Sequence, residues 1–264
     1  MKKYELTSET KVFLGKTLYR IKALVQFGNV NAGDLGGWIE KEENLSQSGN
    51  AWVYGDASVY GNAWVSGNAR VYGNASVYGN ARVYGDARVY GNAWVYGDAR
   101  VSGNAWVYGD ARVSGNAEVS GNARVSGDAR VYGDARVSGN AWVYGNAEVS
   151  GDARVYGNAR VSGDASVYGD AEVYGNARVY GNAEVCKIGA VFWIGAIGSR
   201  NRTTTFFRCK DGKIYVSCGC FLGDLEEFSD KVKQTHGDNE HGRVYMLAIE
   251  MAKARIVEEK NEVH

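Results

Sequence analysis

Two groups of side chains in this 264-residue chain are of types that do chemistry, and both lie toward its C-terminal end. The first is Arg200, Arg202 and Arg208, set beside Ser199 and Thr203, Thr204 and Thr205. Arginine forks and hydroxyls are the usual means of holding phosphate or carboxylate. A strand through TTTFFRC places Arg202 and Arg208 on one face. Ser199, Arg200, Arg202, Thr203 and Arg208 are therefore a candidate site for a small anionic, nucleotide-like ligand, against ordinary surface arginines or a protein-binding patch. The second group is Cys209, Cys218 and Cys220 with His236 or His241. Four such residues could ligate zinc, but the spacing C-x8-C-x-C-x15-H is not a standard finger. A hairpin setting Cys209 opposite Cys218, with both as free thiols, is the expected arrangement, and no metal or cofactor is implied.

The elements that must position these groups follow a long repeat. From Gly49 to Cys186 the chain is 23 consecutive units of G-[ND]-A-x-V-[YS], with Cys186 ending the last and without insertion. Within A-x-V-Y the side chains alternate as in a strand, Ala and Val on one face, x and Tyr/Ser on the other. Gly followed by Asn or Asp then makes a corner, these being the residue types that best tolerate a left-handed backbone. Two small apolar residues per unit cannot form a core alone, so the units must stack. Residues 1–48 read as an N-terminal capping segment with a strand-like run, KVFLGKTLYRIKALVQF. Residues 187–264 read as a small α+β module ordered β-β-α-α. In it Asp211-Gly212 marks a hairpin, and Asp224 with Glu227 a capping box. Leu225, Phe228 and Val232 of the first helix, and Val244, Leu247, Ala248 and Met251 of the second, are the expected inward residues.

The phrase, with Val at one position and Ala four residues later, resembles the hexapeptide repeat of left-handed parallel β-helices. That resemblance implies an all-β solenoid over residues 49–186, with triangular coils of 18 residues and a trimeric assembly. The 23 units then make about 7.7 coils and a prism of about 37 Å. Taken every 18 residues, the x position falls into three columns. One contains only Trp and Arg: Trp52, Arg70, Arg88, Trp106, Arg124, Trp142, Arg160 and Arg178. The other two mix charge signs. Arg and Trp are enriched at interfaces, so this column is a candidate subunit contact. A solvated face and an anion-binding strip are the alternatives.

Many members of that superfamily are acyltransferases using CoA thioesters and a catalytic His between subunits. Here the three histidines, His236, His241 and His264, all lie outside the repeats. A general base titrating near neutral pH is therefore missing from the coils, and binding without catalysis is the expectation, with acyl transfer or a purely structural trimeric scaffold as alternatives. The net charge is zero, from 30 basic and 30 acidic side chains, which argues against general attraction to nucleic acid or an anionic membrane. No apolar run is long enough to span a bilayer and no export signal begins the chain, so a cytoplasmic setting is expected. The flanks AGDLGGWIEKEENLSQ and IGSRNRTTTFF…CGCFLGDLEEFSDKVKQTHGDNEHG resemble phage and prophage hexapeptide-repeat proteins, often labelled transferases. That implies a phage-related setting in which the protein could sequester a host-defence signal.

Overall fold

The structure, a computed structural model, describes residues 1–209 and 211–256. A hairpin of β1 (Tyr4–Phe13) and β2 (Lys16–Ala23) leads into β3 (Leu35–Ile39). The repeats supply β4–β26, two residues each, from Trp52–Val53 to Glu184–Val185. After them come β27 (Val191–Ile197), β28 (Arg202–Arg208), β29 (Ile214–Cys218), β30 (Phe221–Asp224), α1 (Leu225–His236) and α2 (Glu240–Arg255).

Each repeat strand pairs in parallel with the strand 18 residues on, as Arg88 does with Trp106 and Val89 with Val107. The 23 units thus form a β-solenoid of about eight coils with three parallel sheets, and the eight-stranded one carries the Trp/Arg column. Three backbone bonds per unit fasten successive coils: Arg88 N–H to Ala105 O, Tyr90 N–H to Val107 O and Asn92 N–H to Gly109 O, at 2.9, 3.0 and 2.8 Å. The Ala and Val of the units are buried and form one continuous core.

The corners work differently from the sequence expectation. Gly alone takes the left-handed backbone, while no repeat Asn or Asp has positive φ. The Asn side chains are used between coils instead. Asn104, Asn122, Asn140, Asn158 and Asn176 form a chain in which each Nδ2 donates to the next Oδ1 at 3.0–3.2 Å. An Asp can end such a ladder as acceptor, as Asp86 does for Asn68, but has no hydrogen to pass on.

Both ends of the solenoid are covered. The strand-like run of the N-terminal segment is split by a tight turn at Leu14–Gly15, with φ of 47° and 75°. β3 then joins the solenoid in parallel register, Trp38 opposite Ser58 and Ile39 opposite Val59. Asn44, wholly buried, donates through Nδ2 to Gly61 O and Ala63 O at 3.0 and 2.9 Å, so a side chain supplies the pairing that a strand would.

At the other end the module holds a four-stranded antiparallel sheet, β27-β28-β29-β30, and two helices. Two of these strands are additional to the β-β-α-α reading. VFWIGAI has no polar alternation because both of its faces are covered, one by the coils and one by the helices. Val191 and Phe207 pack on the solenoid core, whereas Phe206 and Val216 pack with Phe228, Val232 and Ile249. Asp224 caps α1, accepting from Glu226 N–H and Glu227 N–H, with Glu227 returning the bond. In α2 the buried residues are Gly242, Tyr245, Ala248, Ile249 and Ala252. Leu247 and Met251 are exposed, contrary to the sequence expectation. Tyr245, Ala248, Ile249 and Ala252 pack with Phe206 and Phe228, and the Tyr245 phenol accepts from Cys218 in space that Gly198 leaves free.

A constraint repeated on nearly every coil lies at the corner glycines. Gly91 has φ +72°, and an added Cβ would lie 2.9 Å from Gly109 N. Gly91→Ala is expected to cost roughly 2–4 kcal/mol, combining left-handed strain with overpacking, read as a lower urea midpoint. Arg82→Ala, at an exposed x position, should stay within about 0.5 kcal/mol of wild type.

Candidate functional site

The C-terminal arginine group does not converge. Arg202 and Arg208 begin and end β28, six residue steps and so roughly 20 Å apart. They share the side of the sheet that carries Phe206, toward the helices, whereas Thr203 and Thr205 fall on the solenoid side with Phe207. The threonines are also in structural use. Thr205 Oγ1 accepts from Arg178 N–H at 3.0 Å, and Thr204 Oγ1 donates to Cys218 Sγ at 3.2 Å. Ser199 and Arg200 are exposed in the turn before β28. Of Ser199, Arg200, Arg202, Thr203 and Arg208, strand spacing sets Arg208 at the opposite end of β28 from the other four, and Thr203 on the other side of the sheet from Arg202 and Arg208.

The cysteines are separated as well. Cys218 pairs with Thr204 rather than Cys209, and Cys209 bridges to Ala183 of the last coil. They therefore face opposite sides of the sheet, and Cys220 is exposed in the following turn. Among the described residues no group of three or more His, Cys, Asp or Glu is placed to hold a metal ion. His236 and His241 lie together, ring centroids 5.7 Å apart. His264 is outside the described residues.

The Trp/Arg column is the surface on which chemistry-bearing side chains do meet. Trp52 leaves it first: it is buried against Tyr4 and Phe27, with centroids at 6.0 and 5.3 Å, so it serves the chain's own N-terminal segment and is withdrawn from any subunit contact. Trp106 is held between Arg88 and Arg124, each about 5 Å from its centroid, and Arg160 lies 5.9 Å from Trp142. Arg178 is exposed at the far end. Beside this column runs a second, Tyr72, Tyr90 and Tyr108, stacked at 4.7 and 4.9 Å with planes within 3°. The Tyr of each unit points outward with x, and the 18-residue fold that sorted x would have sorted Tyr in the same way.

At the N-terminal end of this face is a groove of about 370 Å³, lined by Asn29, Tyr54, Arg70, Tyr72 and Arg88. Asn29 comes from the tight turn between Phe27 and Val30, whose backbones exchange two hydrogen bonds. Burial pushes the Tyr54 phenol above its usual range, Arg70 pulling against it and Asp34 adding to it. Burial likewise raises Tyr72, opposed by Arg88 and Arg70. Both guanidinium groups thus stand close to the phenols. Periodicity could not reveal Asn29, because its place depends on how the N-terminal segment folds back.

Compared with known proteins, the repeats match a family model described as YdcK Beta solenoid repeat, over residues 63–79, 75–91, 81–97, 93–109, 117–133, 129–145, 153–169 and 171–186. The chain is also 39% identical over 62 residues to "Uncharacterized acetyltransferase YdcK" of Escherichia coli (strain K12), a match covering 20% of this chain and 19% of that protein. Both likenesses support a repeat β-helix family. The chain aligns with about a fifth of that relative, and the acetyltransferase name belongs to the relative.

The cysteine environments order their reactivity. Cys209 is buried and its thiol is pushed up to about 12, mainly by desolvation. Iodoacetamide on the folded protein near pH 8 is expected to label Cys220 first and Cys209 last, since the thiolate is the nucleophile; peptide mapping reads the order. Early labelling of Cys209 would show that β28 does not cover the last coil. The same raised value means the unfolded thiol, at 9.0, ionises before the folded one. Stability from this group is therefore present below pH 9 and is lost as pH rises from 9 toward 12.

Proposed function

We propose that this chain is a binding protein without a catalytic centre of its own, a homotrimeric β-solenoid whose arginine-, tryptophan- and tyrosine-bearing face takes a small anionic ligand. The observation that carries the reading is the charge of that face. Arg70, Arg88, Arg124, Arg160 and Arg178 stand on it with no acidic x residue. Elsewhere on the coils Arg130 and Arg154 are ion-paired to Glu148 and Glu172. None of the five makes such a pair among the described residues. A row of like charges spaced by roughly one or two strand separations, in a chain of zero net charge, is a local anion-attracting surface. The resemblance of the flanks to phage and prophage proteins extends the proposal to a host-defence signal held without being consumed.

A second reading, acetyl transfer, is supported by the name of the Escherichia coli relative. Acyl transfer calls for a group that exchanges a proton near neutral pH, and the coils of this chain contain no His. Release of CoA thiol from acetyl-CoA, offered with amine and hydroxyl acceptors, is expected at the buffer rate. Turnover proportional to protein would replace the binding reading with the enzyme one.

The binding reading is checked with pyrophosphate by calorimetry at low salt. Wild type should bind with an affinity that falls as salt rises, and a variant with Arg70, Arg88, Arg124 and Arg160 changed to Ala should lose that binding. Sedimentation of wild type should give three times 28.6 kDa. A trimeric wild type whose four-arginine variant sediments as monomer would make this face a subunit contact and defeat the ligand reading.

A further inference from the structure

We infer that the groove at the N-terminal end of this face is a discrete site for a nucleoside phosphate, its base against Tyr54 and Tyr72 and its phosphates on Arg70 and Arg88. The inference rests on the anionic-ligand reading above and deepens it to one place and one ligand class.

Three observations set this end apart from the rest of the face. Of the eleven arginines at x positions only Arg70 and Arg88 are half-buried; the other nine are exposed. A cation drawn out of water with no carboxylate partner is a poor way to stabilise a fold and a good way to meet an anion. Arg70 and Arg88 sit in adjacent coils, roughly 4.8 Å apart at the backbone, close enough for both forks to grip one phosphate or a diphosphate.

The aromatic ladder is also interrupted here. Stacking runs from Tyr108 through Tyr90 to Tyr72. Tyr54, next in the column, stands at the groove instead. One side of the Tyr72 ring is covered by Tyr90, and Tyr72 also lines the groove with Tyr54. A flat heterocycle placed there continues the ladder, and base–aromatic stacking accepts any base. Arg88 already lies over Trp106. The corresponding tryptophan for Arg70 would be Trp52, which is buried beneath Tyr4 and Phe27.

The fold also supplies an orientation. Phe27 on Trp52 anchors the Gly28–Asn29 turn, and Asn29 reaches the groove rim. Its amide offers both donor and acceptor to a base edge. Asp34 is near enough to act on the Tyr54 phenol, which disfavours phosphate at that end and directs it to Arg70 and Arg88. At about 370 Å³ the groove is within the usual range for small-ligand sites.

The test is calorimetry with ADP, adenosine and pyrophosphate on wild type, Arg70→Ala/Arg88→Ala, Tyr72→Leu and Arg124→Ala/Arg160→Ala, with melting curves to confirm folding. ADP should bind wild type more tightly than adenosine or pyrophosphate. The Arg70/Arg88 change should weaken ADP about tenfold or more. Tyr72→Leu should weaken ADP while leaving pyrophosphate unchanged, and Arg124→Ala/Arg160→Ala should weaken ADP far less than the Arg70/Arg88 change, through lost long-range attraction alone. If ADP binding survives loss of Arg70 and Arg88 but falls with Arg124 and Arg160, the groove assignment is wrong and the anionic-face reading stands. If pyrophosphate binds as tightly as ADP, the base has no site and the nucleoside inference is overturned. If neither ligand binds, both readings fail.

Discussion

Everything in this molecule depends on one spacing: each coil must lie a strand separation from the next along its whole perimeter. Parallel pairing between residues 18 apart, such as Val89 and Val107, admits no extra residue inside a strand without shifting the pairs beyond it. The Gly corners are points of little freedom, because from Gly61 to Gly163 each is both left-handed and in contact with the Gly of the next coil. The interior follows from the same spacing. Three faces closing on a narrow triangle leave room for Ala and Val, and their burial on every coil supplies the hydrophobic stabilisation that no single unit could provide.

A scaffold so constrained gives up variation everywhere except at its outward positions and its ends. Outward side chains repeat at the coil spacing, so like residues meet like: tyrosines stack, asparagines bond in chains, and arginines lie over tryptophans. The ends must be closed because a parallel sheet edge is an open row of donors and acceptors. The N-terminal segment closes one with β3 and the Asn44 side chain, and β28 with its threonines closes the other. Closing the first end also builds the groove, since the segment that buries Trp52 carries Asn29 to the rim.

Much of this was legible in the residues. The invariant Gly, Ala and Val of the phrase specify the solenoid and its core. Asp224 and Glu227 announce the start of α1. Less legible was the module, where VFWIGAI reads as an undivided apolar run until both covering layers are known. The inward face of α2 differs from the sequence expectation because Tyr245, Ile249 and Ala252 pack with Phe206, Val216 and Phe228, partners distant in sequence. Arg202 and Arg208 of the candidate arginine group are set apart for a simple metric reason. Neighbours in sequence separate by about 3.3 Å per residue in a strand, whereas residues 18 apart here come within about 4.8 Å.

The sequence by itself therefore determined that the units stack and that Ala and Val fill the core, because two small apolar positions per unit can be buried no other way; the 18-residue coil, and with it the sorting of outward residues into faces, was what the family resemblance implied. Only the tertiary structure decided how the N-terminal end of the Trp/Arg face is arranged. It covered Trp52, drew Arg70 and Arg88 half out of water and brought Asn29 beside Tyr54 and Tyr72. These outcomes turn on where a non-repeating segment folds back, and that is set by contacts such as Phe27 on Trp52 that no periodicity encodes.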